Sequence, residues 1–457
     1  MLMTQRPGLP PAGGHVHFVG VGGIGMSGLA RILAAWGYRV TGTDSQASEL
    51  IERLTAEGIP TTIGHDDTTN AAMADLVVAT AALRSTNAEL HAASAAGVRT
   101  VKRAELLGLL ANARRTIAIA GSHGKSTTSG MVVSALTSLA QDPTYAVGAV
   151  VGTTGTNAAP GEGELMVVEA DEYDHSFLWV RPAVAIVTNI DFDHPDIFPD
   201  QAAYDRAFRR FLAGVPADGT IVANADDPGT IRVLADRTGI VARMVRVGRS
   251  ASADWRVDGD VLLPPAGDPI TLDVQVAGAH NRLNAAMAIA ALAAVGLAPD
   301  EAARGIGTFT GVGRRFELKG EAARVTVVDD YAHHPVEIAA TLAAARGRYP
   351  GRRLWAVFQP HTYSRTKLLL DDFARALDGA DEVVLLDVYP ARETDTLGVS
   401  SEQIAARMTR SATVARKPAD AAAAVAVRAE TGDVVLTMGA GDVTLTGPAL
   451  LARLRGR

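Results

Sequence analysis

Short, largely apolar runs punctuate this chain, and most are apolar at consecutive rather than alternating positions. Thr116 to Ala120, Leu165 to Val168, Ala183 to Val187, Val325 to Val328, Leu354 to Phe358, Val383 to Leu386 and Val434 to Met438 are examples. A strand that is hydrophobic on both faces must be covered on both, which predicts parallel strands with helices on either side. Each run ends in glycine or polar residues and is followed by a longer stretch with helical character, as in Gly20 to Gly37 or the alanine-rich Gly278 to Gly296. The fold class is α/β, and the alternation restarts twice. The divisions expected are a flexible Pro/Gly tail at 1–14, a first unit at 15–110, a central unit at 111–316 and a last unit at 317–457, with GVGRRFELKG a linker carrying an exposed arginine pair, Arg314 and Arg315.

The polar ends of these runs carry the chemistry. After Ala120 come Gly121, Ser122, His123, Gly124, Lys125, Ser126 and Thr127, with a helix expected from Thr127. Strand, glycine turn, lysine and hydroxyl, then helix is a way to cup a polyphosphate: backbone N–H groups approach the phosphates, the lysine neutralises terminal oxygens and the hydroxyl meets Mg²⁺. The loop is a shortened variant, because Ile119 stands where the longer pattern has a glycine. Lys125 reads as an exposed loop residue with little packing role. Two later runs deliver Glu169, Asp171 and Glu172, then Asn189, Asp191, Asp193 and His194, to the sheet edge where ligands bind in open α/β folds. Glu169 is placed to hold Mg²⁺, whereas Asp171 and Asp191 read as strand-end caps.

In the first unit Gly20, Gly22, Gly23 and Gly25 form a glycine turn between a strand and a helix, with Asp44 at the end of the next strand. This dinucleotide-type fingerprint reports a diphosphate near the turn without specifying nicotinamide chemistry. Asn281 and Asn284 open the alanine-rich helix, where one can cap and the other can face a ligand. In the last unit the strand ends carry Asp329, Asp330, Tyr331 and His333, then His361, Tyr363 and Arg365. His333 and His334 read as hydrogen-bonding loop residues, since no second cluster completes a metal set.

Composition narrows the classes. A formal charge of −7 argues against a nucleic-acid wrapper, and the absence of cysteine removes disulfide and thiolate chemistry. Without an apolar stretch long enough to span a bilayer or a signal core, the expectation is a cytoplasmic protein with no membrane or nucleic-acid partner, a monomer or homodimer. Of 43 basic Lys and Arg residues only five are lysines, and one of the five stands at the phosphate-binding position.

Taken in order, GVGGIGMSGLA, GSHGKSTT, VEADEYDHSFL, TNIDFDH, HNRLNA, GRRFE, DDYAHHP, FQPHTYSRT, VYPARE and GAGDV resemble the Mur ligase family over essentially the whole chain. The resemblance implies three domains: a Rossmann-like one for the UDP of a sugar nucleotide, a central P-loop ATPase-like one, and a Rossmann-like one that brings an amino acid. It further implies an ATP-dependent ligase joining L-alanine to the lactyl carboxylate of UDP-N-acetylmuramate in peptidoglycan precursor synthesis. Lys125, Glu169 and His194 would be catalytic, with Ser126, Glu169 and His194 holding Mg²⁺. Asn281 or Asn284, Arg315 and Asp330 would contact ATP, Gly20 to Gly25 and Asp44 the UDP-sugar, and Tyr331, His361 and Arg365 the amino acid. Thr362 departs from the family pattern, which has arginine there, and so does Pro195, where leucine is usual.

A carboxylate does not condense with an amine in water. Phosphorylation by ATP makes an acyl phosphate that an amine attacks through a tetrahedral intermediate, and the protein mainly positions groups and neutralises charge. A ligase that adds a preformed peptide to UDP-N-acetylmuramate shares this mechanism. An NAD-dependent dehydrogenase would account for Gly20 to Asp44 but not for the Lys125 loop.

Overall fold

The computed structural model describes residues 8–80, 86–276 and 278–456. Among them, three sheets carry the fold. The first comprises β1 (His15–Val19), β2 (Arg39–Asp44), β3 (Thr61–Ile63), β4 (Leu76–Ala79) and β5 (Thr100–Lys102). They pair in the order β3-β2-β1-β4-β5, all parallel, the doubly wound arrangement that places a ligand at the strands' carboxyl ends. Residues Ala81 to Leu83, at the end of the run that begins with β4, lie outside the described residues.

The second sheet comprises β6 (Arg115–Ala120), β7 (Thr144–Val151), β8 (Thr156–Ala159), β9 (Leu165–Glu169), β10 (Val184–Val187), β11 (Thr220–Asn224), β12 (Arg243–Gly248), β13 (Trp255–Asp258), β14 (Val261–Leu263) and β15 (Ile270–Thr271). Its order is β15-β14-β13-β12-β11-β10-β6-β9-β7-β8, with antiparallel pairing only at the two ends. The third comprises β16 (Glu317–Ala322), β17 (Val325–Asp330), β18 (Leu354–Phe358), β19 (Glu382–Leu386), β20 (Ala412–Ala415) and β21 (Val434–Met438), in the order β16-β17-β21-β18-β19-β20. Central strands β10, β18 and β21 are buried at every position, as their unbroken apolar runs require. One apolar cluster of the third sheet gathers Trp355, Val357 and Val435, and another gathers Ala356, Phe358 and Leu436, so alternate residues feed the two faces.

The chain forms two compact units. One holds the first two sheets; the other holds the third, together with Phe192–Asp200 and Gln275–Asn281. Within the first unit, the helix Ile24–Ala35 rests on the β7–β8 hairpin. A Cβ on Gly28 would lie 2.6 Å from the Ala158 Cβ, and Asn157 Nδ2 donates to the Ile24 carbonyl at 3.3 Å.

Three local expectations change. The helix after the phosphate loop begins at Lys125 rather than Thr127, because Gly124 takes φ +82° and turns the chain directly into it. The run from Ala183 stops as a strand at Val187, so Asn189, Asp191, Asp193 and His194 lie on irregular chain beyond it. The stretch read as a linker is partly sheet, since Glu317–Ala322 pairs antiparallel with β17. Its arginines are not exposed either: Arg314 Nε reaches Asp329 at 3.1 Å and its Nη2 the Gly439 carbonyl at 2.7 Å, while Arg315 Nη1 reaches Glu337 at 3.3 Å. Their charge is drawn in by carboxylates on and after β17. Of the expected tail, residues 1–7 lie outside the described residues; further on, Gly8 and Pro10 carbonyls accept from Arg99 and from the Tyr38 hydroxyl.

Candidate active site

The phosphate loop follows β6, and the neighbouring strands bring their ends to it in register. Ile119 pairs with Glu169 on β9, and Ala120 with Val187 on β10. The loop is then clamped from the β10 side. Asn189 Oδ1 accepts from His123 N at 2.8 Å, its Nδ2 donates to the His123 carbonyl at 3.0 Å, and Thr188 Oγ1 donates to that carbonyl at 2.6 Å. Ser122 Oγ donates to the Asp191 carbonyl at 2.7 Å and meets the Tyr204 hydroxyl at 2.9 Å. Gly121 has φ +136°, and a Cβ there would lie 2.0 Å from Thr188 Oγ1, so only glycine fits. Above the turn lies the Asn284 amide, 3.3 Å from where a Gly124 Cβ would stand. Ser126 and Thr127 lie in the helix's first turn, with Ser126 buried.

Lys125 is not the exposed loop residue expected. Its side chain is 13% accessible and its Nζ donates to the Gly121 and Ser122 carbonyls and, at 2.8 Å, to Glu172 Oε2, whose side chain is fully buried. Burial alone would lower the lysine's pKa, but Glu172, with Asp171 and Glu169, raises it above the ordinary value, so the ammonium stays charged. The sequence placed Glu172 among the strand-end acids without revealing this partnership, because a separation of 47 residues leaves no local signal. Asp171 caps the following turn as expected, accepting from Tyr173 N at 3.2 Å. Glu169 accepts from Gly148 N at 2.9 Å. The Ser126 hydroxyl and the Glu169 carboxylate are hard oxygen donors at this edge, a set that suits Mg²⁺.

The glycine turn of the first sheet is equally constrained. Gly20 has φ +84°, Gly20 N and Val21 N donate to the Thr43 carbonyl, and Gly22 N donates to Asp44 Oδ2 at 2.8 Å. A Cβ on Gly22 would stand 2.9 Å from that oxygen. Gly23 precedes the helix in extended conformation, and Gly25 faces the Arg103 side chain. Arg103, absent from the residues singled out by sequence, gives this turn a cation.

In the other unit, Arg365 gives Nε and Nη2 to Asp193 at 2.9 and 2.8 Å, both side chains buried, and its Nη1 approaches the His361 carbonyl at 3.3 Å. Burial would raise Asp193, but Arg365 beside it holds the carboxyl well below the carboxylate range. His194, with φ +56°, donates its N–H to Asp193. His361 stacks on Tyr389 at 5.6 Å, and Tyr331 lies under the Arg314 and Arg315 guanidinium groups. Burial brings His333 down to about 3 and, with Arg365, His361 down to about 4, so both are neutral near pH 7. Asp330 is pushed up to about 6 by burial although Arg315 and the N–H groups of Ala332 and Phe316 favour its charge. Thr362, with φ +66°, is a β-branched residue in the left-handed region. Asn281 is buried, its N–H on the Gly278 carbonyl.

Family models cover most of the chain: "Mur ligase family, catalytic domain" at residues 15–115, "Mur ligase middle domain" at 119–292 and "Mur ligase, glutamate ligase domain" at 314–441. A UDP-N-acetylmuramate--L-alanine ligase of Paenarthrobacter aurescens is 43% identical over 97% of this chain and 98% of its own length. A solved UDP-N-acetylmuramate-alanine ligase of Thermotoga maritima matches with a TM-score of 0.78 at 26% identity, over 97% of this chain and 99% of that one. A murein peptide ligase of Psychrobacter arcticus matches with a TM-score of 0.72 at 25% identity, over 97% and 99%. With three α/β domains, a lysine-bearing phosphate loop and relatives this similar along nearly their whole length, the chain belongs to the Mur ligase family.

Proposed function

We propose that this protein is the ATP-dependent ligase that joins L-alanine to the lactyl carboxylate of UDP-N-acetylmuramate, giving ADP and phosphate, in peptidoglycan precursor synthesis. The observation that carries this reading is 43% identity to a UDP-N-acetylmuramate--L-alanine ligase with 97% and 98% of the two chains covered. In the first domain, Gly20, Gly22, Gly23, Gly25 and Asp44 receive the UDP group. ATP lies on residues Gly121 to Thr127 with Asn284 beside the turn; Asn281, Arg315 and Asp330 complete its contacts. Lys125 exchanges the Gly121 and Ser122 carbonyls for phosphate oxygens and orients the transferring phosphoryl group. Ser126, Glu169 and His194 hold Mg²⁺. Bound there, the ion neutralises charge on the phosphates. His361 and Arg365 hold the amino-acid carboxylate, with Tyr331 beside them.

The same chemistry with a preformed peptide as acceptor is the second reading, favoured by the fold match to a murein peptide ligase at 25% identity. A mass-spectrometric product assay decides. The protein is incubated with ATP, UDP-N-acetylmuramate, mixed amino acids and an L-alanyl tripeptide. The expected product carries one alanine; a tripeptide adduct, or phosphate release indifferent to sugar nucleotide and amino acid, overturns the proposal.

A further inference from the structure

A buried polar network crosses the first sheet and ends at its ligand edge. Glu89, at the start of the helix Ala88–Ala95, is fully inaccessible, yet three groups converge on its carboxylate. His17 Nε2 lies 2.8 Å from Oε1, while Thr43 Oγ1 and His65 Nδ1 lie 2.7 and 2.6 Å from Oε2. Burial would raise the glutamate, but these three hydrogen bonds hold its carboxyl below the usual value, so it is ionised and only accepts. The protons are then assigned. His17 donates through Nε2 and accepts at Nδ1 from Thr41 Oγ1 at 2.7 Å, and Thr41 accepts from His15 Nε2 at 2.8 Å. His65 donates through Nδ1, which leaves the Nε2 lone pair of a 21% accessible side chain as an acceptor.

The place of that lone pair identifies what it meets. Phosphates belong at the glycine turn after β1, and an acid at the end of β2 is where a ribose hydroxyl binds in such folds. The end of β3 is the next step outward from the phosphates, and His65 stands there: Gly64 N donates to the Asp44 carbonyl at 2.8 Å, and Thr43 Oγ1 lies 3.2 Å from His65 Nδ1.

We propose that His65 recognises the uridine of the sugar nucleotide, its Nε2 accepting from a nucleoside donor, and that buried Glu89 is the positioning residue that fixes its tautomer. The inference rests on the UDP-sugar reading given above. Uridine offers such a group donors of two kinds, the 2′- and 3′-hydroxyls of the ribose and the uracil N3–H. Glu89→Ala removes the acceptor that holds the proton on Nδ1, so the ring is free to take its other tautomer or to turn, and Nε2 no longer stands fixed as an acceptor.

Calorimetric titration of the full-length protein with UDP, 2′,3′-dideoxy-UDP and N3-methyl-UDP is the test. Wild type should prefer UDP to one analogue by about tenfold, and which one identifies the donor. His65→Ala, at a partly accessible position, should weaken UDP about tenfold and erase that preference. Glu89→Ala should blunt it too, raising the KM for sugar nucleotide while ATP affinity and saturated kcat stay within about twofold. A structural role alone would lower the melting point or kcat and leave the analogue ranking intact. UDP affinity and ranking unchanged in His65→Ala overturn the inference by itself; wild type that binds none of the three overturns the UDP-sugar reading and the inference with it.

Discussion

Glu172 Oε2 lies 2.8 Å from Lys125 Nζ, and this pair joins the end of one strand's loop to the phosphate loop of another. Because Glu172 is fully buried, removing the ammonium takes away a charge that balances its carboxylate, even with the Tyr204 hydroxyl still donating to it, a cost of up to about 3–5 kcal/mol. Lys125→Ala should therefore melt at lower temperature as well as lose at least about a hundredfold in turnover. Adding Glu172→Gln should restore much of the melting temperature and none of the activity. Thermal melts and phosphate release on the single and double variants check this; full stability in Lys125→Ala would deny the pair its weight.

Glu169→Ala should leave the fold intact, since the carboxylate accepts from an exposed backbone N–H, that of Gly148. The expected change is a much higher Mg²⁺ concentration for half-maximal rate, read from a Mg²⁺ titration. An unshifted titration removes Glu169 from the metal site.

Arg365→Lys keeps the charge and loses the two-pronged contact with Asp193. The KM for L-alanine should rise by about tenfold or more while the KM for UDP-N-acetylmuramate changes little. Arg365→Ala should also destabilise the protein, because Asp193 is left buried without the guanidinium that balances its charge. Steady-state kinetics with each substrate varied in turn separates the two effects.

Asp330 gives a pH signature of defined sign. Its folded pKa of about 6 lies above the ordinary 3.8, so between those values the folded state holds a proton that the unfolded chain has lost. Stability from this group is present below about pH 4, falls as pH rises through 6, and the loss totals about 3 kcal/mol. Melting temperatures of wild type and Asp330→Asn, compared from pH 4.5 to 7.5, should show the wild type losing more. Parallel curves would contradict the shift.

Local patterns were legible and distant partnerships were not. Gly121 to Ser126 could be read because strand, turn and helix follow one another within a few residues. Lys125 as a buried, paired lysine could not, because Glu172 arrives from another strand. The end of β10 was drawn too far because Asn189, Asp191 and Asp193 follow an apolar run without a break signal, and backbone geometry alone ends the pairing at Val187. Glu317–Ala322 looked like a linker because an edge strand carries polar residues on its open side. Glu89, His17 and His65 are separated by 72 and 24 residues from one another, and only the sheet brings them to a common carboxylate.

Gly28 lies in the helix beyond the glycine turn, and its missing side chain lets the first helix lie flush against Ala158 of the central domain's hairpin. That helix starts from one glycine turn, and the hairpin belongs to the sheet that bears the other. With the nucleotides held at the two turns as proposed, the gap separating them is gauged by an atom that is not there. A bulkier residue at this point would act as a shim, lengthening the span that the lactyl group must bridge to reach ATP, and a two-headed inhibitor need match only that one span.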